Sequence, residues 1–165
     1  MTDTYVESMV KVKPSGSMSF LKYLTITLTV LLGIATLLTG IVIALILAVV
    51  CGVLAYFISL NSSIEYEYLY CDKEVSIDKI MSQTKRKHVA KYEVEKMEIL
   101  APIKSYKLDD YKNRQCKEID YSSKEADKPG RYVFYYEGQQ RVVIDPSQEF
   151  VDAIYNVAPR KVFKN

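Results

Sequence analysis

The order of apolar and polar positions divides the chain into three stretches. Residues 20–59 are almost wholly Leu, Ile, Val, Ala, Thr and Gly, and no charged residue occurs between Lys22 and Glu65. A helix needs about 20 apolar residues to cross a hydrocarbon core about 30 Å thick. One helix over the whole stretch would be about 60 Å long at 1.5 Å per residue. Two antiparallel spans, 20–38 and 41–59, with a reversal at Thr39-Gly40, fit better, because Gly ends helices by accepting positive φ. A secretory signal has a much shorter apolar core and a small-residue cleavage site, so the pattern predicts a transmembrane hairpin.

After the hairpin the period drops to two. Ile64, Tyr66, Tyr68 and Tyr70 fall on one face of a period-two run, the mark of a half-buried strand. Residues 71–74 have turn chemistry, and 75–80 read as the returning strand. Residues 83–87 read as a basic reversal, 88–92 and 97–101 as short strands, and 102–114 as mostly loop. Further strands are expected at 116–121, 131–136 and 141–144, with a loop over 122–130. Then the period becomes helical, with Phe150, Ala153, Ile154, Val157 and Ala158 on one stripe. Asp145 reads as its cap, Pro146 as its first residue and Gln148 as part of a capping-box spacing. Residues 64–165 thus form an α+β domain, mainly antiparallel β, whose terminal helix buries its stripe on the sheet.

Residues 1–19 form a separate N-terminal segment, broken at 14–17 by Pro-Ser-Gly-Ser. Tyr5, Val6, Met9 and Val10 recur at helical spacing, so this segment is either a short interfacial helix or a frayed tail.

Charge adds orientation. Lys11, Lys13 and Lys22 lie at the start of the first span, Lys73 and Lys79 follow the second, and the turn between the spans has none. Positive residues stay inside, which predicts a cell-membrane protein with both termini cytoplasmic. That compartment keeps Cys71 and Cys116 reduced. A near-balanced 22 Lys+Arg against 20 Asp+Glu argues against nucleic acid as partner. The 14 tyrosines read as β-propensity and partly buried rings more readily than as a base-stacking surface.

Candidate chemistry is sparse. No phosphate-binding loop, nucleophile elbow or zinc-protease signature is present. No cofactor, catalytic or metal residue is expected, and His88 beside Cys71 or Cys116 reads better as surface. Lys85, Arg86, Lys87 and His88, with Arg160 and Lys161, are candidate contacts for anionic lipid headgroups; the alternative is a solvated, acid-balanced surface. Within the spans, Thr25, Thr29, Thr36, Ala44, Ala48, Gly52 and Ala55 form small-residue faces. These pack the hairpin on itself or, alternatively, join two copies of the chain. The expected partners are the bilayer and a protein, and the expected role is a non-enzymatic, membrane-anchored interaction module. An anionic-lipid sensor is the alternative, and a small membrane enzyme with an unrecognised site a weaker one.

Tyr66-Glu-Tyr-Leu-Tyr70, the charged strand pair through 75–91 and the segment 145–158 resemble a bacterial pleckstrin-homology-like domain. The resemblance implies seven short strands in a bent sheet, one end capped by a C-terminal helix. The whole chain also resembles a family of two-span membrane proteins of Gram-positive bacteria, known as a domain of unknown function. The residues that carry it include Ile77-Asp-Lys-Ile80, Lys85-Arg-Lys87, Met97-Glu-Ile-Leu-Ala-Pro102, Tyr121-Ser-Ser123 and Val157-Ala-Pro-Arg-Lys-Val-Phe163. It implies an architecture and no site residues.

Overall fold

A computed structural model of the protein describes residues 5–125 and 128–164. The N-terminal reading at 1–4, the loop reading at 126–127 and the final residue lie outside the described residues. The chain folds as two compact units. One holds the strands and the C-terminal helix, and the other holds residues 14–64 with 81–85.

The second unit is built on α1 (Gly16–Thr39) and α2 (Val42–Ser62), each long and apolar enough to cross a membrane. Ser15 caps α1 by accepting from the Met18 N–H, and Gly40 ends it at φ 66°, donating to the Thr36 carbonyl. The reversal therefore falls where the Gly demands it. The hydroxyls of Thr25, Thr29 and Thr36 each donate to a carbonyl four residues back, at 2.8–2.9 Å. That pairs these three hydroxyl hydrogens inside an apolar span.

The small-residue faces meet inside the hairpin. Thr25, Thr29, Thr36, Ala44, Ala48 and Gly52 are half-buried and Ala55 is buried, between exposed Leu, Ile and Val. At Gly52 an added Cβ would lie 3.6 Å from the Thr29 methyl, so the helices approach closely there. The turn 81–85 belongs to this unit. Ser82 donates its N–H to the Ser63 carbonyl at 2.7 Å and its hydroxyl towards those of Ser59 and Leu60. These are orphan acceptors of the last turn of α2.

The other unit consists of two four-stranded sheets and one helix. The first sheet runs β1 (Val6–Lys11), β2 (Ile64–Cys71), β3 (Glu74–Met81) and β4 (Lys85–Glu93), in that spatial order. The second contains β5 (Met97–Pro102), β6 (Lys117–Asp120), β7 (Tyr132–Tyr136) and β8 (Gln140–Ile144), ordered β5-β7-β8-β6. Helix α3 (Gln148–Val157) follows.

Several elements correct the reading from sequence. Residues 6–11 are neither helix nor tail but a strand antiparallel to β2, with Val10 opposite Tyr66, Ser8 opposite Tyr68 and Val6 opposite Tyr70. Alternation buries Val10 and Ser8 and leaves Tyr5 and Met9 outside. The hairpin is thus an insertion between two adjacent strands, and the described residues form eight strands where the resemblance implied seven. The β3–β4 reversal occupies Ser82 and Gln83, both at positive φ, so Lys85–Lys87 lie in a strand rather than a turn. Strand β6 is parallel to β8, not antiparallel. Segment 102–114 contains a short 3-10 helix, Tyr106–Tyr111, which buries Leu108 against the back of the second sheet. Finally, α3 is capped by Ser147, whose hydroxyl accepts from the Phe150 N–H.

The main core lies between the sheets and α3. Tyr68, Ile77, Phe134, Ile144, Phe150 and Ile154 are fully buried there. Phe150 packs on Tyr68 and Tyr70 with ring centroids 6.0 and 6.4 Å apart. Every residue of β7 is buried, because Ile99, Val133 and Tyr135 form a second cluster on its other face.

Candidate functional site

Alternation along β4 splits the basic run. Arg86 turns onto β2 and β3, where its guanidinium pairs with Glu67 and its Nε lies 3.7 Å from Asp78 Oδ2. His88 Nδ1 sits 2.9 Å from Asp78 Oδ1. The Glu67 side chain is 2% exposed, whereas that of Arg86 is 56% exposed. Burial raises the Glu67 carboxyl above its ordinary value, the hydrogen bond with Glu7 adds to this, and Arg86 opposes it. Lys85 and Lys87, the alternate residues, are exposed, and no acidic side chain pairs with either among the described residues. So the four predicted headgroup contacts become two side chains engaged with acids and two lysines without an acidic partner among the described residues.

Arg160 and Lys161 lie elsewhere, at a groove of about 310 Å³ beside the end of α3. Val94, Val157 and Pro159 supply apolar wall, and Lys73 and Glu95, 3.5 Å apart, form an ion pair there. Lys161 spends its ammonium on the Glu95 carbonyl at 2.5 Å, while Arg160 is exposed. The next residues cover a sheet edge. The Leu100 N–H donates to the Lys161 carbonyl and the Phe163 N–H to the Leu100 carbonyl, both at 2.8 Å. Val162 thereby bridges β5 in parallel.

A third polar group went unread in the sequence. Asp145, expected as a helix cap, is buried and accepts from Arg131 Nε at 2.9 Å and from the Ser123 N–H at 2.9 Å. The Ser123 hydroxyl donates to the same carboxylate at 2.5 Å, and Arg131 reaches on to the Glu125 carbonyl at 2.6 Å. Burial alone pushes the Asp145 carboxyl up. The hydrogen bonds from Arg131 and Ser123 outweigh it and hold the group below its ordinary value. The Tyr68 hydroxyl donates to the Tyr121 carbonyl at 2.6 Å and accepts from the Asp145 N–H at 3.3 Å. Burial pushes that phenol far above its usual range. Every atom here is satisfied within the fold, which is the behaviour of a staple for the 121–125 segment.

Comparison with known proteins adds the family. Bacterial PH-like domain (DUF6106), a family of unknown function, matches residues 2–164. The chain belongs to it. No curated protein and no solved structure matches.

In this PH-like chain the matched region spans both flanks of the helical pair, in keeping with β1 and β2 being neighbours across the insertion. His88 is committed to Asp78, and among the described residues neither Cys71 nor Cys116 hydrogen-bonds to it. Cys116 instead lies 3.5 Å from the Gly138 carbonyl. Among the described residues no group of three His, Cys, Asp or Glu side chains has the geometry to hold a metal ion. What the PH-like domain does offer is an open strand. Backbone bonds outside the ladders cover β5 but reach no residue of β4 among those described.

Proposed function

We propose that this chain is a non-enzymatic interaction module that a transmembrane hairpin anchors with its PH-like domain on the cytoplasmic side, where the domain binds a protein partner. The anchor reading is supported by two long apolar helices whose single charged residue is Lys22, and by the lysines that flank the pair in the sequence. The observation that carries the binding reading is the edge of β4. It is the last strand of its sheet, nine residues long, with no backbone partner on its outer side among the described residues. Open strand edges recruit strands from other chains.

Headgroup binding is the second reading, favoured by the exposure of Lys85 and Lys87. It is the weaker one, because Arg86 and His88 are already engaged with Glu67 and Asp78. A photo-crosslinking amino acid at Lys87 in the full chain, activated in native membranes, tests the choice. A discrete protein adduct, lost on shifting the probe to exposed Tyr106, supports the module. Adducts to lipid alone would contradict it.

A further inference from the structure

We infer that the occupant of the β4 edge is an extended acidic segment of the partner, with carboxylates at alternate positions facing Lys85 and Lys87. This rests on the module reading above and names the chemistry of its partner.

The edges of the two sheets are unequal. Residues Lys161–Phe163 cover β5, β6 is only four residues long, and β1, at six residues, contacts α3 and accepts from the Ser147 N–H through Ser8. Strand β4 presents nine residues, about 30 Å of backbone at about 3.3 Å each. An edge of that length would pair with almost any extended chain unless its side chains prevented it. The side chains here do so selectively.

Arg86 and His88 face the acids of β2 and β3, so both side chains are engaged within the sheet. Lys91 is likewise paired, with Glu74 at 2.7 Å. Lys85 and Lys87 remain, two residues apart and exposed, with no acidic neighbour among the described residues. Side chains two apart in a strand share a face, about 7 Å from one another. A strand laid along this edge meets both cations at once.

Charge then sorts the possible occupants. A second copy of β4, laid antiparallel over its full length, would set Lys85 across from Glu93 but Lys87 across from Lys91, and like charges directly across a strand pair are destabilising. A neutral strand gains the backbone bonds but strands two desolvating ammonium groups. An acidic strand with carboxylates at i and i+2 gains the bonds and neutralises both lysines.

The test uses the full chain in phosphatidylcholine nanodiscs and three synthetic ten-residue peptides. These alternate Glu with Val, Gln with Val, or Lys with Val. Binding is read by fluorescence anisotropy, and its place by hydrogen exchange at the amides of 85–93. The Glu peptide is expected to bind about four- to twenty-five-fold more tightly than the Gln peptide, each of the two cross-strand charge pairs contributing about two- to fivefold. It should slow exchange at alternate β4 amides, and the K85E/K87E variant should reverse the preference in favour of the Lys peptide.

Equal binding of the Glu and Gln peptides at β4 would overturn the acidic preference while leaving the open edge as the binding surface. Protection outside β4, or none while a Lys87 crosslink still captures a protein in native membranes, would overturn strand addition but not the module. Protection of β4 by nanodiscs containing phosphatidylglycerol, without peptide, would overturn it in favour of headgroups.

Discussion

The domain contains two places where a buried carboxylate meets a guanidinium, and they differ in what covers the base. At Asp145 both side chains are hidden, the acid 2% and Arg131 12% exposed. At Glu67 the acid is equally hidden but Arg86 is more than half exposed. The first pair ties residues 121–125 to the start of α3 and ends in satisfied bonds on every side. The second lies on an edge strand whose outer backbone is open. Similar chemistry therefore serves as a staple in one region and as the lining of an exposed edge in the other. Burial of the base, rather than the presence of a pair, separates the two roles.

Breaking each pair should show this difference in stability. Asp145→Ala leaves Arg131 buried without its carboxylate and should cost about 3–5 kcal/mol, read as a large fall in the unfolding midpoint of the full chain in micelles. Arg86→Ala should cost less, about 1–2 kcal/mol, because Glu67 can take up a proton and keep its bond to Glu7. Ser123→Ala removes one donor from Asp145 and should cost about 1 kcal/mol. Reversing Lys85 and Lys87 to Glu touches only exposed groups and should change stability by less than about 0.5 kcal/mol.

The pH dependence sharpens the comparison further. The Asp145 carboxyl is depressed below 3.8, so its contribution is complete above that value and is lost as pH falls through the lower, folded value. The gap between wild type and Asp145→Asn should accordingly close only in strong acid. Glu67 is raised above 4.5, so ionising it opposes folding as pH rises through the window above 4.5. Arg86→Ala removes the cation that offsets this, and its penalty should grow with pH across that window. Two unfolding series, one per variant, would bend on opposite sides of about pH 4.

Much of the architecture could be read from spacing alone. The two apolar helices, the Gly40 reversal, the Tyr66–Tyr68–Tyr70 face and the Phe150–Ile154 stripe all declare their period in a single run. Strand β1 did not, because Val6, Met9 and Val10 suit a helix as well as a strand. Its partner β2 lies beyond the whole hairpin, and only the pairing of Ser8 and Val10 with Tyr68 and Tyr66 decides the matter. Asp145 and Ser147 are both good cap residues, and the sequence does not reveal that Arg131 claims the first. The basic run at 85–88 looked like one patch because the turn was placed too late. Once Ser82 and Gln83 make the turn, alternation sends Arg86 and His88 to acids and leaves Lys85 and Lys87 without an acidic partner among the described residues.

The central claim is that β4 is an edge which a protein strand occupies in the cell. Hydrogen exchange at amides 85–93 of the full chain tests it most directly, measured in native membrane vesicles and again after transfer to phosphatidylcholine nanodiscs. The account predicts slow exchange at alternate β4 amides in the native membrane and fast exchange once the partner is stripped away. Fast exchange in both, with the β7 amides slow throughout, would contradict it.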